Sequence, residues 1–205
     1  ETAWYDSRNK LGEAGITYLK EWQHTFDLYS NQPFLQVPDL SVKKGNEDTA
    51  VKHLGTLDFQ SPFGGSTTPL FDHAGIMPDY SVPDTDIPLT LLTVLNFSTG
   101  GKVGQGQWAG IQYNHPTFAA PCIKALHTFV LGNTLMESIH WNLLCKKGDP
   151  CSAANLPNSK WGRPLWELFP ESPDDSSAFE NATQTYLGRL VPFSRMINLT
   201  AYPGR

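Results

Sequence analysis

The chain has 205 residues, 40% hydrophobic and 17% charged, with 15 Lys+Arg against 20 Asp+Glu for a formal net charge of −5. That length supports one large domain or two small ones around a substantial core. The acidic balance disfavours independent, tight binding of duplex nucleic acid, which draws most of its affinity from phosphate neutralisation. No apolar run reaches the roughly 18 residues a transmembrane helix needs.

Glu1 opens the chain with neither a Met nor a basic-then-apolar leader, so the sequence reads as a processed protein or, the better reading, as a piece of a longer one. Leu19, Trp22, Phe26 and Tyr29 recur at helical spacing and predict an amphipathic helix over residues 16–29, ended by S-N-Q-P. Residues 33–37 read as a short extended piece and 38–48 as a polar loop. Asp48 can cap a short helix that Gly55 stops. Residues 57–69, L-D-F-Q-S-P-F-G-G-S-T-T-P, form a breaker-rich loop with two phenylalanines. Such aromatics either pack back on the core or project to stack on a partner. Residues 77–88 hold three prolines and are expected to be irregular.

The chain is organised around residues 86–110, D-I-P-L-T-L-L-T-V-L-N-F-S-T-G-G-K-V-G-Q-G-Q-W-A-G. Asp86 suits a helix cap and Pro88 a first turn. The run from Ile87 to Phe97 is apolar on almost every face, which predicts a buried helix. Gly100, Gly101, Gly104, Gly106 and Gly110 follow around Lys102. Without a Cβ, such a backbone can approach another molecule closely.

Beyond it, residues 113–120 are expected to be irregular and 125–131 to have strand character. Asn133 should cap a helix with Leu135, Ile139 and Leu143 in one row and Met136, His140 and Leu144 beside it. His140 on that stripe reads as a satisfied core histidine. A polar loop covers 146–163. The acidic turn P-E-S-P-D-D-S-S starts a helix from Ser177 that Gly188 ends, and 190–199 reads as a strand pair or edge, Pro192 arguing against a central position. Helices and short strands alternate without a βαβ rhythm or an internal repeat. The fold expected is an irregular α+β domain.

Catalytic signatures are lacking. Gly104-x-Gly106-x-x-x-Gly110 is one residue off the dinucleotide spacing and follows a helix, not a strand. Asp72-His73 and the pair Asp84 and Asp86 have no spacing that separates them from a solvated loop. Cys122, Cys145 and Cys151 are too sparse and odd in number for a disulfide framework, which points to a reducing compartment. Cys145 and Cys151 can close a loop or supply two zinc ligands; two unrelated thiols is the simpler reading. The sequons at Asn96, Asn181 and Asn198 read as chance.

Several stretches in order resemble the CasA (Cse) family, the large subunit of the type I-E CRISPR surveillance complex Cascade. They are F-D-L-Y-S-N-Q-P-F-L-Q-V (26–37), L-D-F-Q-S-P-F-G-G (57–65), L-T-L-L-T-V-L-N-F-S-T-G-G-K (89–102), A-P-C-I-K-A-L-H-T-F-V-L-G-N-T-L-M-E-S-I-H-W-N-L-L (120–144) and Y-L-G-R-L-V-P-F-S-R-M-I-N-L (186–199). The ordered set carries the resemblance, and it spans nearly the whole chain. It implies that residues 1–205 are a single unit inside the N-terminal domain of a longer, cytoplasmic, non-catalytic subunit without a cofactor. Such a subunit recognises the protospacer-adjacent motif in double-stranded target DNA, helps open the strands, works beside the guide RNA-containing subunits and supports recruitment of the CRISPR helicase-nuclease. By position, Gly100 and Gly101 would be the glycine loop that meets the motif's minor groove, with Lys102 as the natural phosphate contact. Phe59, Gln60 and Ser61 would be the tip of the first DNA-facing loop. The family's lysine finger and glutamine wedge would lie beyond Arg205. Acidity is tolerable on this reading, because guide RNA and other subunits hold the assembly on DNA. Two other classes remain open from the residues alone: a small hydrolase or sugar-acting enzyme using Asp72, His73 or the aromatic loops, and a structural protein-interaction domain whose glycine loop meets protein only.

Overall fold

A computed structural model describes residues 9–43, 57, 82–102, 105–113, 116–117, 119–142 and 161–200. These residues form a mixed α+β fold of five α-helices and short antiparallel strands. The helices are α1 (Leu11–Trp22), α2 (Ile87–Phe97), α3 (Leu135–Asn142), α4 (Ser176–Gln184) and α5 (Tyr186–Leu190). The strands are β1 (Ser41–Lys43), β2 (Gly101–Lys102), β3 (Gln105–Trp108), β4 (Ile111–Tyr113) and β5 (Pro116–Thr117).

Helix α2 is the central post. Ile87, Leu91, Val94 and Leu95 lie on one face and are buried. They pack with Leu28, Phe34, Leu35, Leu165, Ala182, Val191 and Ile197 into the main core. The expectation of burial all round is corrected on the other face, where Leu89 is 69% and Phe97 48% exposed. Pro88 sits in the first turn as its missing N–H allows. Asp86 holds the N-cap position, but its side chain makes no capping bond; its carbonyl accepts from Thr90 N at 3.0 Å.

A three-stranded sheet in the order β1-β3-β4 supports a second core of Val37, Trp108 and Tyr113. Ser41 pairs with Gln107 and Gly106 with Tyr113. The β3–β4 turn is Ala109–Gly110, with φ of 50° and 76°. Two successive positive-φ residues match the twist of the flanking strands in a two-residue hairpin. Phe193 joins the two cores, its ring 6.0 Å from Trp108, 5.3 Å from Phe169 and 5.6 Å from Phe179.

Several expected elements differ. The first helix begins at Leu11 and passes into a 3₁₀ turn over Gln23–Phe26, where Thr25 Oγ1 donates to Trp22 O at 2.8 Å. Residues 33–37 form a turn, not a strand, because Leu35 takes φ 54°. That turn buries Gln36, whose Nε2 donates to Leu28 O at 3.0 Å and whose Oε1 accepts from Leu199 N at 2.7 Å. Residues 125–131 form no strand and lie on the surface, Leu126 being 96% exposed. Thr134, not Asn133, caps α3: its Oγ1 accepts from Glu137 N at 3.1 Å, and Glu137 Oε2 accepts from Asn133 N at 2.8 Å. Leu135 is 78% exposed and Ile139 also faces outward, so the described part of that row is not core, while His140 is buried as expected and Leu143 lies outside the described residues.

Asp175 caps α4 through Ala178 N at 3.0 Å, as the acidic turn suggested. Gly188 does not end this helix. It lies within α5, so close to the Asn181 carbonyl that a Cβ would overlap it. Residues 191–199 run without strand pairing, with Val37 N donating to Ile197 O at 2.7 Å among the bonds that tie them down. The expected helix after Asp48 lies outside the described residues.

Candidate functional site

Helix α2 delivers the chain to Ser98, Thr99 and Gly100. Gly100 is exposed at the end of this post. Gly101 and Lys102 then form β2, antiparallel to β5, with Gly101 opposite Thr117 and Lys102 opposite Pro116. A two-residue pairing fixes the local direction of the backbone without enclosing Gly100.

The glycines of the stretch separate into two kinds. Gly106 is buried, and a Cβ there would overlap the ring of its cross-strand partner Tyr113. Gly110 has no heavy atom within 4 Å of a built Cβ; its φ of 76° is what requires glycine. These two are consumed in building the hairpin. Among the described glycines of the stretch, Gly100 and Gly101 remain as the bare backbone past the helix exit, Gly104 lying outside the described residues.

The base of that exit is tightly held. Ser98 N donates to Val94 O at 3.1 Å, and the buried Ser98 hydroxyl donates to the same carbonyl. Ser194 Oγ donates to Leu95 O at 2.5 Å, and Ala120 N donates to Ser98 O at 2.9 Å. Arg195 Nη2 donates to Thr99 O, while its Nη1 donates to Ser194 O at 2.6 Å. Burial draws the Arg195 guanidinium below its ordinary pKa. Ser194 and Arg195 fall in a stretch that resembles the family, but no local pattern marked them as partners of the glycines. Their bonds join positions 99 and 96 residues apart.

The other sequence-derived candidates are not brought to this place among the described residues. Phe59, Gln60 and Ser61 lie outside the described residues, as do Asp72, His73, Cys145 and Cys151. Asp84 is engaged by Tyr29, whose hydroxyl donates to Asp84 Oδ1 at 2.9 Å, and Asp86 Oδ1 accepts from Thr85 Oγ1 at 3.3 Å. The Asp84 bond, with some burial, raises the Tyr29 pKa. Cys122 is a free thiol 3.8 Å from Asn96 Oδ1. Among the described residues no three His, Cys, Asp or Glu side chains gather in a way that could hold a metal ion. Nor is any described helix long and apolar enough to cross a membrane.

A second bonded framework lies against the main core, where Trp166 packs. Trp166 Nε1 donates to Tyr18 Oη at 2.7 Å, and Tyr18 Oη donates to Glu167 Oε1 at 2.5 Å. Burial, then the Glu167 bond, pushes the Tyr18 pKa up to about 12. This is structural bonding, pinning α1 to the segment that carries Leu165.

The family model for CRISPR-associated protein Cse1 matches residues 1–204. No curated protein and no solved structure gives a significant match.

Proposed function

The chain belongs to the CRISPR-associated Cse1 family and is thus a subunit of a CRISPR Cascade assembly, in association with its other components; within that assembly we propose that it reads the protospacer-adjacent motif of duplex DNA. Gly100 and Gly101 enter the minor groove of the motif, Lys102 meets an adjacent phosphate, and Phe59, Gln60 and Ser61 form a second DNA-facing tip. The chain contributes no catalysis of its own. It forms part of the N-terminal domain of a longer cytoplasmic subunit that supports recruitment of the helicase-nuclease.

The observation that carries this reading is the exposed Gly100 at the end of a helix whose opposite face is locked in the main core. The minor groove is about 6 Å wide and presents a degenerate pattern of acceptors. A glycine backbone fits there where a side chain would clash, and its N–H and C=O can meet the base edges. Low information content suffices, because guide pairing reads the rest of the target. The net charge of −5 fits a reader held on DNA by its partners rather than by its own phosphate contacts.

The test is substitution of Gly100 and Gly101 by Val in the intact subunit, assembled with guide RNA and its partner subunits. Binding to a guide-matched duplex should fall by on the order of 100-fold, as expected when a close groove contact is blocked. Unchanged binding would overturn the groove-reading role.

A further inference from the structure

The last carbonyls of a helix have no intrahelical donors and are often left to water. At the end of α2, Val94 O and Leu95 O are instead taken by protein groups, and so are two carbonyls just beyond the helix. Leu95 O, Ser98 O and Thr99 O accept in turn from Ser194 Oγ, Ala120 N and Arg195 Nη2. Thr99 O is the last carbonyl before Gly100. It belongs to an exposed residue that water can reach, so its bond to an arginine is not needed to satisfy it.

We propose that Arg195 is the positioning residue of the Gly100–Gly101 backbone: its guanidinium grips Thr99 O with one arm and Ser194 O with the other, fixing the direction in which the chain leaves α2. The inference rests on the minor-groove reading of those glycines. Two features support a positioning role. First, the planar guanidinium holds two carbonyls in one fixed geometry, which a lysine ammonium on a flexible stem cannot reproduce. Second, Ser194 itself is anchored to Leu95 O, so the clamp is referenced to the same helix that the glycines leave. Burial against this site draws the arginine pKa down but leaves the group charged at neutral pH, and a cation at a helix C-terminus is favourable. Preorganisation of this kind raises affinity by removing an ordering cost at the moment of binding.

The experiment compares Arg195→Ala, Arg195→Lys and Gly100→Val in the intact subunit within the guide RNA-loaded assembly. Each is titrated with guide-matched duplexes whose flanking trinucleotide is varied, at several salt concentrations, and the melting temperature of each subunit is recorded. Arg195→Ala should weaken binding to the preferred duplex on the order of 10-fold, the scale of one lost charge-assisted bond, and compress the ratio between preferred and disfavoured motifs. Arg195→Lys should compress the same ratio, since it keeps the charge and loses the fork. The slope of log K against log salt should not change, because no phosphate contact is removed.

Three results would overturn the proposal. One is wild-type binding and discrimination in Arg195→Ala. Another is a uniform loss across motifs with a slope reduced by about 0.9, the mark of a direct phosphate contact. The third is a loss that tracks a lowered melting temperature and is fully restored by lysine. If Gly100→Val also binds normally, the groove reading itself fails. If Gly100→Val is defective while Arg195→Ala is normal, only the positioning role fails.

Discussion

Gly100–Gly101 and the pair Gly106 and Gly110 belong to one glycine-dense stretch, yet the fold uses them in opposite ways. Gly106 is glycine because the buried Tyr113 ring lies over it, and Gly110 because the hairpin turn needs a positive φ. Both constraints come from inside the molecule. Gly100 is exposed just past a helix whose Leu95 carbonyl, like that of Thr99 beyond it, is bonded by a distant segment. Composition alone treats the five glycines of this stretch alike. The distinction comes from what stands opposite each one, and it separates glycines spent on folding from glycines available for contact.

The largest effect that bears on this contrast is Gly106→Val. Its side chain must displace the Tyr113 ring, which is packed with Trp108 and Val37 in the second core. Overpacking of that kind costs about 1–3 kcal/mol, read as a lowered urea midpoint of the intact subunit. A midpoint equal to wild type would mean that the Tyr113 ring moves freely, and the two glycine classes would merge. Gly110→Ala comes next. A built Cβ meets nothing within 4 Å, so only the left-handed backbone opposes alanine, at about 1 kcal/mol. Smaller still is the expected stability change of Gly100→Val, within about 0.5 kcal/mol for an exposed site. The same variant should have the largest effect on DNA binding, so the glycine that matters least for stability would matter most for binding.

Parts of this arrangement are legible in the sequence. Helix α2 follows from an apolar run entered by Pro88, and α4 from an acidic turn that places Asp175 as its cap. The sheet is not legible, for two physical reasons. Its strands are three or four residues long and carry Gly and Gln in place of an apolar alternation, and β1 meets β3 across more than sixty positions. Residues 125–131 misled in the other direction. Leu126, Phe129, Val130 and Leu131 have strand propensity, but propensity reports a fit to a half-buried pleated surface and no strand forms there. At the candidate site, the glycine pair could be read from composition, whereas the Arg195 clamp depends on a bond between residues 96 positions apart. No local pattern encodes such a bond.

The subtlest test of the contrast is pH dependence, because it addresses the hairpin glycines and leaves Gly100 and Gly101 alone. Burial raises the pKa of Tyr113 above the ordinary tyrosine value of 10.0. The folded state thus binds the phenolic proton more tightly than the unfolded chain does. The resulting stability is fully present below pH 10.0 and is lost as pH rises through the higher folded-state value. Tyr18, with its pKa pushed up to about 12, adds a loss of the same sign, so the raw profile of the wild type does not isolate the hairpin. The difference between wild type and Tyr113→Phe does. Phenylalanine keeps the ring over Gly106 and removes the titrating group, so its urea midpoint should fall less steeply above pH 10 than that of the wild type. Parallel profiles for the two proteins would show that Tyr113 ionises without leaving the second core, and Gly106 would then owe its place to something other than a ring held fixed above it.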